Sequence, residues 1–282
     1  MNLWYQMLSV LPFDWAQPGH MIFMKNALLA VIIITPLFGL IGTMIVQNRM
    51  AFFSDALGHG AFTGIVIGVM SGFFSPLWAA IAFSLAFSFA VTLVKHRAHM
   101  NSDTVIGVFT SMSIAAGIFL STLNGNSFNK MNAYLIGDIL SITTGQIAAA
   151  AIVLAVTVVL WVFLLNPLFL SSISTSLAQS RGVNVLLIEC VFSALVAVIV
   201  TISMSWVGLL VINSFLVLPA ASARNITRNI RSYHLTAVLF SLFAGIAGLL
   251  TSYYTGTASG ATIILFSSAI FMVTFLMRKR AA

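Results

Sequence analysis

The amino-acid sequence predicts an all-α integral membrane protein with about nine transmembrane helices in one compact domain. Of its 282 residues, 60% are hydrophobic and only 6% are charged, whereas a soluble domain carries about 25% charged residues. Its apolar stretches are long, which suits membrane-spanning helices and not the short alternating strands of an outer-membrane barrel. Eight or ten helices are the neighbouring alternatives.

Nine apolar stretches are the candidate spans, because each is long enough to cross most of the hydrocarbon core. In chain order they are 26–46, 52–72, 77–94, 104–122, 147–165, 185–202, 207–223, 235–252 and 261–277. A break within 50–70, or an extra half-helix around 137–141, would change that count.

The basic residues predict the orientation. With nine spans, ten of the twelve Lys and Arg residues fall on one side, in five clusters: Arg49, Lys95 and Arg97, Arg181, Arg224, Arg228 and Arg231, and Arg278, Lys279 and Arg280. Only Lys25 and Lys130 fall on the other side. The positive-inside rule therefore places the C-terminus in the cytoplasm and the N-terminus outside. The same bias explains the net charge of +7, which is no indication of nucleic-acid binding.

The sequence divides into three parts of unequal size. Residues 1–23 lack the basic leader and continuous apolar run of a cleaved signal peptide. Their aromatic residues predict an extracytoplasmic segment at the outer membrane interface: Trp4, Tyr5, Phe13 and Trp15. Residues 24–278 form the transmembrane domain, and 279–282 form a cytoplasmic tail. The single Cys190 lies in a span and is expected to be a buried packing thiol.

Asp55 and His59 are the candidate ligands for a metal ion. They stand four residues apart in a predicted span, so both side chains leave the helix on one face. If the helix starts at Arg49, His59 lies about 15 Å along it, near the middle of the membrane. A carboxylate and an imidazole suit Zn²⁺, Mn²⁺ or Fe²⁺ better than Cu⁺. One chain offers two ligands and a two-fold dimer offers four. The alternatives are an Asp–His hydrogen bond or two polar groups that fix helix packing.

The same span carries glycine at every fourth position, a spacing that lets a neighbouring helix approach closely: Gly60, Gly64, Gly68 and Gly72. Packing within the chain is the favoured interpretation. In the span 207–223, Pro219 is expected to kink the helix near its cytoplasmic end. Asn213 in that span is expected to make an interhelical hydrogen bond and not a substrate contact.

Residues 166–184 are too polar to span the membrane and predict a short cytoplasmic helix. The segment has a serine-rich start, apolar Ile173 and Leu177, and a closing Gly182, which fit caps at both ends. Such a helix could dock a partner protein, or the segment could be a plain connecting loop.

Other ionisable residues give weaker indications. His96 and His99, with Asp103, could receive an ion on the cytoplasmic side, although solvated loop histidines are common. Asp138 could attract cations near the outer face, but a helix-start cap is the simpler interpretation. The sequence contains no nucleotide-binding Gly-x-x-x-x-Gly-Lys-Ser/Thr loop, and no catalytic triad can be drawn. We therefore do not expect an enzyme.

Three segments resemble the permease subunits of bacterial ABC importers for zinc and manganese. The first runs over 27–61 and contains Ser-Asp-Ala-Leu-Gly-His-Gly. The second, 134–140, reads Tyr-Leu-Ile-Gly-Asp-Ile-Leu, and the third, 207–224, begins Val-Gly-Leu-Leu and ends Leu-Pro-Ala-Ala-Ser-Ala-Arg. The resemblance covers nearly the whole chain in order, and three segments in register are specific.

The resemblance implies a permease in the bacterial cytoplasmic (inner) membrane that works as a homodimer or paired permease. Its partners would be two cytoplasmic ATP-binding subunits, where ATP is hydrolysed, and an extracytoplasmic metal-binding protein. Zinc or manganese would be the cargo, with no permanently bound cofactor, and Asp55 and His59 would line the ion pathway. The alternative is an ion-gradient-driven transporter or channel that works without an ATPase.

The resemblance also implies that the loop before Gly182 is a coupling helix that contacts the ATPase. The residues concerned are Ile173, Ser174, Leu177, Ala178, Arg181 and Gly182. Ser174 stands where the family usually has an acidic residue, so the contact chemistry differs here. Gly58 stands where the family often has serine, but the two candidate ligands are intact.

Overall fold

The computed structural model describes residues 14–17, 21–72, 75–98, 100–123, 137 and 139–278, apart from the side chains of 205, 206 and 210. The described chain contains helices and no strands, as predicted. The helices are α1 (Ile22–Gln47), α2 (Phe53–Ser71), α3 (Pro76–Ala98), α4 (Ser102–Leu123), α5 (Thr144–Ile173), α6 (Thr175–Ser180), α7 (Val185–Val207), α8 (Leu209–Ile226), α9 (Ile230–Thr255) and α10 (Ser259–Met277). Asp14–Ala16 and Ile139–Ser141 form short 3-10 turns.

Each of the nine predicted spans corresponds to one long helix of the described chain. Eight helices are long and apolar enough to cross a membrane, and the ninth predicted span is α8, which has 18 residues. α2 is unbroken, and Ile139–Ser141 of the region around 137–141 form a 3-10 turn. The all-α membrane fold is therefore confirmed.

The helices pack around α1 and α2, which lie at the centre of the bundle. α1 contacts α5, α8 and α9, whereas α2 contacts α3, α4, α7 and α8. In the most apolar part of each helix, 67% of α1 and 72% of α2 is buried, but only 17% of α10. The candidate ligands thus lie on one of the two most enclosed helices.

The connection between α1 and α2 differs from the prediction. Arg49 lies in a turn with a positive φ of 56°, and the amide of Met50 donates to the carbonyl oxygen of Ile45. The helix therefore begins at Phe53 and not at Arg49, which invalidates the depth predicted for His59. Asp55 lies in the first turn of α2.

The predicted loop 166–184 is also shorter than expected. α5 continues through Pro167 to Ile173, because its buried stripe does not stop at the proline. Trp161, Leu164 and Leu168 are all buried on one face, with the spacing of three and four residues that a helix needs. Only 174–184 remain outside the two long helices, so the short helix α6 follows α5 almost directly.

Two of the four glycines that recur at every fourth position from 60 to 72 allow α2 to pack closely against α3. A Cβ on Gly64 would lie 2.7 Å from the Cα of Ala80, and one on Gly68 would lie 2.7 Å from the Cβ of Ala79. Gly60 makes only an ordinary contact with a phenylalanine ring, and Gly72 ends the helix with a φ of 65°. The close approach is within the chain, as favoured from the sequence.

The described part of the N-terminal segment packs on the bundle. Trp15 is buried, and the ammonium group of Lys25 donates to the carbonyl oxygen of Gln17 at 2.6 Å. α1 starts at Ile22, two residues before residue 24, where the transmembrane domain was predicted to begin. The rest of the predicted interfacial segment and the 279–282 tail lie outside the described residues. Cys190 is a free thiol. It was predicted to be buried, but it is only half-buried.

Candidate functional site

Asp55 and His59 lie on one face of α2, as their spacing predicts. The Oδ2 atom of Asp55 is 3.8 Å from the Nε2 atom of His59, which is too long for a direct hydrogen bond. The Asp55 side chain is 40% exposed and the His59 side chain 26%, although their neighbours Leu57 and Gly58 are buried. Both side chains are therefore partly accessible at a point where the neighbouring residues of α2 are buried.

Asn213 of α8 holds the other oxygen of the carboxylate. Its Nδ2 donates to Oδ1 of Asp55 at 2.7 Å, so the predicted interhelical hydrogen bond is confirmed. The sequence did not identify Asp55 as the acceptor. The amide oxygen of Asn213 is buried and has no hydrogen-bond partner among the described residues, a state that typically costs about 1–3 kcal/mol. The two oxygens of Asp55 thus have different surroundings: one is held by an amide and one faces His59.

Hydroxyl groups tie the backbone of α2 to α4 one turn beyond His59. Thr63 donates to the carbonyl oxygen of Ser113 at 2.7 Å, and the Ser113 hydroxyl lies 3.4 Å from the carbonyl oxygen of His59. Gly117 leaves room for this contact, since a Cβ there would lie 2.7 Å from the Thr63 hydroxyl. These residues were not predicted from the sequence, because serine and threonine are common in membrane helices and carry no distinctive spacing.

α8 also packs on α2 through Leu209, one turn before Asn213. A Cβ on Gly58 would overlap the Leu209 side chain, so the absence of a side chain at 58 is what admits the leucine. Immediately before Leu209, Gly208 adopts a φ of 85° and connects α7 to α8. Gly137, with a φ of 60°, packs directly on Gly208. The segments 134–140 and 207–224 therefore meet at a pair of glycines.

Comparison with known proteins identifies the family. Residues 20–278 match the ABC 3 transport family. The chain belongs to this family. It is thus a membrane permease of an ABC transporter, a transport subunit whose ATP-hydrolysing partner is a separate chain. The resemblance stated from the sequence is confirmed.

Relatives within the ABC 3 transport family align with nearly the whole chain. The high-affinity zinc uptake system membrane protein ZnuB of Haemophilus influenzae is 27% identical over 254 residues, covering 90% of this chain and 97% of the relative. The manganese import system permease protein ScaB of Streptococcus parasanguinis is 31% identical over 268 residues, covering 95% and 94%. The structure of PsaBC from Streptococcus pneumoniae in complex with Fab superposes with a TM-score of 0.77 at 25% identity, covering 98% of this chain and 95% of that one.

The remaining ionisable residues do not add to the pair in the ABC 3 chain. Among the described residues, no group of three or more His, Cys, Asp and Glu side chains is placed to hold a metal. His96 and Asp103 are exposed at the ends of their helices, whereas His99 and Asp138 lie outside the described residues. Lys95 and Glu189 form an ion pair of 3.1 Å between α3 and α7.

The short helix α6 has the capped form predicted for the coupling segment. The Ser174 side chain accepts from the amide of Leu177 at 3.3 Å, and Gly182 follows the helix with a φ of 77°. Ile173, Leu177 and Arg181 are exposed, but Ala178 is fully buried. Ala178 therefore anchors the helix to its own chain and is not available to a partner. Pro219 lies inside α8, which continues through it from Leu209 to Ile226.

Proposed function

We propose that this chain is the permease of an ATP-driven importer of divalent metal ions, with zinc or manganese as cargo. The observation that carries the proposal is the pairing of Asp55 and His59 on one open face of a central helix. Two relatives that align over nearly the whole chain are named for zinc uptake and manganese import. The proposal covers both ions because the relatives divide between them.

The separation of the two side chains suits a shared ion. Zinc binds histidine nitrogen and carboxylate oxygen at about 2.0–2.2 Å, so two ligands at a tetrahedral angle stand about 3.4 Å apart. The Asp55 oxygen and the His59 nitrogen are 3.8 Å apart, and a small side-chain rotation closes that difference. Carboxylate and imidazole are ligands that both Zn²⁺ and Mn²⁺ accept.

A second copy of the chain completes the site in this proposal. Within the described residues, one chain brings only two candidate ligands together, whereas zinc favours four. A two-fold axis beside the open face of α2 would supply two Asp55 and two His59 side chains. Manganese would add water or carbonyl oxygens to reach six. A mixed set without thiolates also keeps affinity moderate, which an ion in transit requires.

The ATP-binding partners would dock on the face that carries α6. Within the described structure, this helix packs mainly against α5 and α7 of its own chain. Leu177 of α6 and Ile173, the last residue of α5, are both exposed. Two cytoplasmic ATPase subunits would each hold one such helix. The N-terminus would then lie outside the cytoplasmic membrane and the C-terminus inside, with a metal-binding protein delivering the ion to the outer face.

Uptake by proteoliposomes tests this proposal. We expect the permease, co-reconstituted with its ATPase, to import Zn²⁺ or Mn²⁺ only when ATP is present inside with the nucleotide-binding domains. Asp55→Ala and His59→Ala should each abolish uptake while the complex still assembles. His96→Ala is the matched control, since this histidine is exposed at the end of α3; it should transport as the native protein does.

Two results would contradict the proposal. Normal uptake by Asp55→Ala or His59→Ala would remove the ligand assignment. Uptake by the permease alone under a proton gradient, without ATP, would favour the gradient-driven transporter or channel. Docking is tested separately with Ser174→Lys, which should reduce co-purification of the ATPase; unchanged co-purification would count against α6 as the contact.

A further inference from the structure

We infer that Asn213 is a positioning residue for the metal site, which holds one carboxylate oxygen of Asp55 so that the other faces His59 and the ion. This inference rests on the proposed function. It assigns to α8 a direct part in a site whose two candidate ligands both belong to α2. Asn213 does not itself coordinate the ion.

The hydrogen bond between the two side chains has the required direction and length. At 2.7 Å from Nδ2 of Asn213 to Oδ1 of Asp55, it lies in the range of bonds to ionised groups. An ionised carboxylate can only accept, and the amide nitrogen can only donate. The opposite orientation of the amide would place two acceptor oxygens against each other. Asn213 therefore matches Asp55 in its ionised form, the form that binds a cation.

The unpartnered amide oxygen indicates that Asn213 serves Asp55 and not helix packing in general. That oxygen is buried without a hydrogen-bond partner, and buried polar atoms of this kind call for an explanation. An apolar side chain of similar size would fill the same space without leaving a buried acceptor. The donor to Asp55 is thus the one polar contact that accounts for an amide at this position.

Neighbouring packing fixes where the amide stands. One turn before Asn213, Leu209 fills the space beside Gly58, which lies next to His59 in the chain. α8 therefore contacts α2 at two points about one turn apart, through Asn213 at Asp55 and through Leu209 at Gly58, and the amide cannot shift along α2 without displacing the leucine. This arrangement restricts the rotation of the Asp55 carboxylate, and Oδ2 remains 3.8 Å from His59.

Metal binding by the purified permease–ATPase complex tests the inference, with Zn²⁺ and Mn²⁺ each used alone. Asn213→Leu and Asn213→Ala remove the donor and should weaken binding about tenfold, the loss expected for one hydrogen bond to a charged group. Asn213→Gln keeps an amide and should bind more tightly than either. Asn225→Leu is the control, since Asn225 is also in α8 and its amide bonds Thr274 of α10 at 3.4 Å; it should bind as the native complex does.

Each outcome separates this inference from the proposed function. If Asp55→Ala binds metal normally, the proposed site itself is wrong. If Asp55→Ala loses binding but Asn213→Leu binds as tightly as the native complex, the positioning role is overturned. If the Asn213→Leu complex does not assemble, the metal affinities of Asn213→Gln and Asn213→Ala are compared instead. Equal metal affinities of these two variants would overturn the positioning role. A rise of Tm with added metal that is lost in Asp55→Ala and reduced in Asn213→Ala would support it.

Discussion

Gly42 of α1 faces the backbone of Leu216 in α8 so closely that a Cβ at residue 42 would overlap the leucine carbonyl oxygen. One turn away, a Cβ on Gly39 would lie 2.9 Å from the Cα of Val238 in α9. Two glycines thus admit two different helices to the centre of the bundle. Since the opposing atoms belong to the backbone, neither helix can yield by turning a side chain.

Gly42→Ala should therefore destabilise the protein, because overpacking against backbone typically costs about 1–3 kcal/mol. The Tm of the purified protein in detergent measures this. Gly107→Ala is the matched control, since Gly107 lies inside α4 and a Cβ there would meet no atom within 4 Å, and alanine favours a helix over glycine. Equal Tm values for the two variants would contradict the packing described for α1 and α8.

Gly58→Ser should impair metal uptake even though serine is a small residue. The reason is Leu209, whose side chain occupies the space that a Cβ on residue 58 would need. Combining Gly58→Ser with Leu209→Ala should restore uptake, because the shorter side chain vacates that space. Uptake assays of the single and double variants decide this, and a double variant no better than Gly58→Ser alone would argue against the steric explanation.

Thr43→Val should destabilise the contact between α1 and α9. The Thr43 hydroxyl lies 2.6 Å from the carbonyl oxygen of Leu40 and shares a hydrogen bond of 2.7 Å with Nδ1 of His234. Valine keeps the shape but leaves Nδ1 of the half-buried imidazole without this hydrogen bond, at a cost of about 1–3 kcal/mol. Chemical or thermal unfolding measures the loss. Thr43→Ser retains the hydroxyl and should stay close to the native stability.

Lys95 and Glu189 should show strong energetic coupling. Their ion pair is 3.1 Å long, and the side chains are only 22% and 16% exposed, so either charge alone would be poorly solvated. Glu189→Gln and Lys95→Met should each lower stability, and the double variant should lose less than the two single losses added together. A double-mutant cycle should give a coupling of about 0.5–3 kcal/mol; additive losses would show that the pair contributes little.

Ser174→Ala should loosen the start of α6 and weaken ATPase association. The serine hydroxyl accepts from the amide of Leu177, and loss of such a cap costs about 0.5–2 kcal/mol. Ser174→Asp keeps a capping oxygen and restores an acidic residue, so it should retain association. Hydrogen exchange of the Leu177 amide reports on the cap, and co-purification reports on ATPase association. Together they distinguish the effect of the capping oxygen from the effect of the added negative charge. Native behaviour of Ser174→Ala would rule out a need for the cap.

Most of the fold follows from the sequence, because apolar stretches long enough to span a bilayer have few alternatives to a helix. The predictions were wrong where local residues and tertiary packing disagree. Asn166 and Pro167 indicate the end of a span, yet α5 continues past them to Ile173, with Leu168 and Ser171 buried. The predicted span 52–72 matches α2, but the depth of His59 was counted from Arg49, and nothing in the local sequence reveals the left-handed backbone of that residue.

Only the part of the candidate site that lies on a single helix could be predicted from the sequence. Asp55 and His59 follow from a spacing of four residues, which is local information. Asn213 is 158 residues from its acceptor, and no periodicity relates the two. A physical signal nevertheless existed: Asp55 and Asn213 are both costly polar groups in apolar spans, and such groups tend to find each other.

The 40% exposure of the Asp55 side chain in a lone chain has a consequence for biogenesis. A carboxylate left facing lipid on a spanning helix costs at least about 2.5 kcal/mol. In the proposed dimer, a second permease chain would cover this carboxylate without help from the ATPase, so newly inserted copies would be most vulnerable before they pair. We expect two permease chains to find each other first in the membrane, with the ATPases recruited afterwards, and orphan copies to be the species that cellular proteases remove.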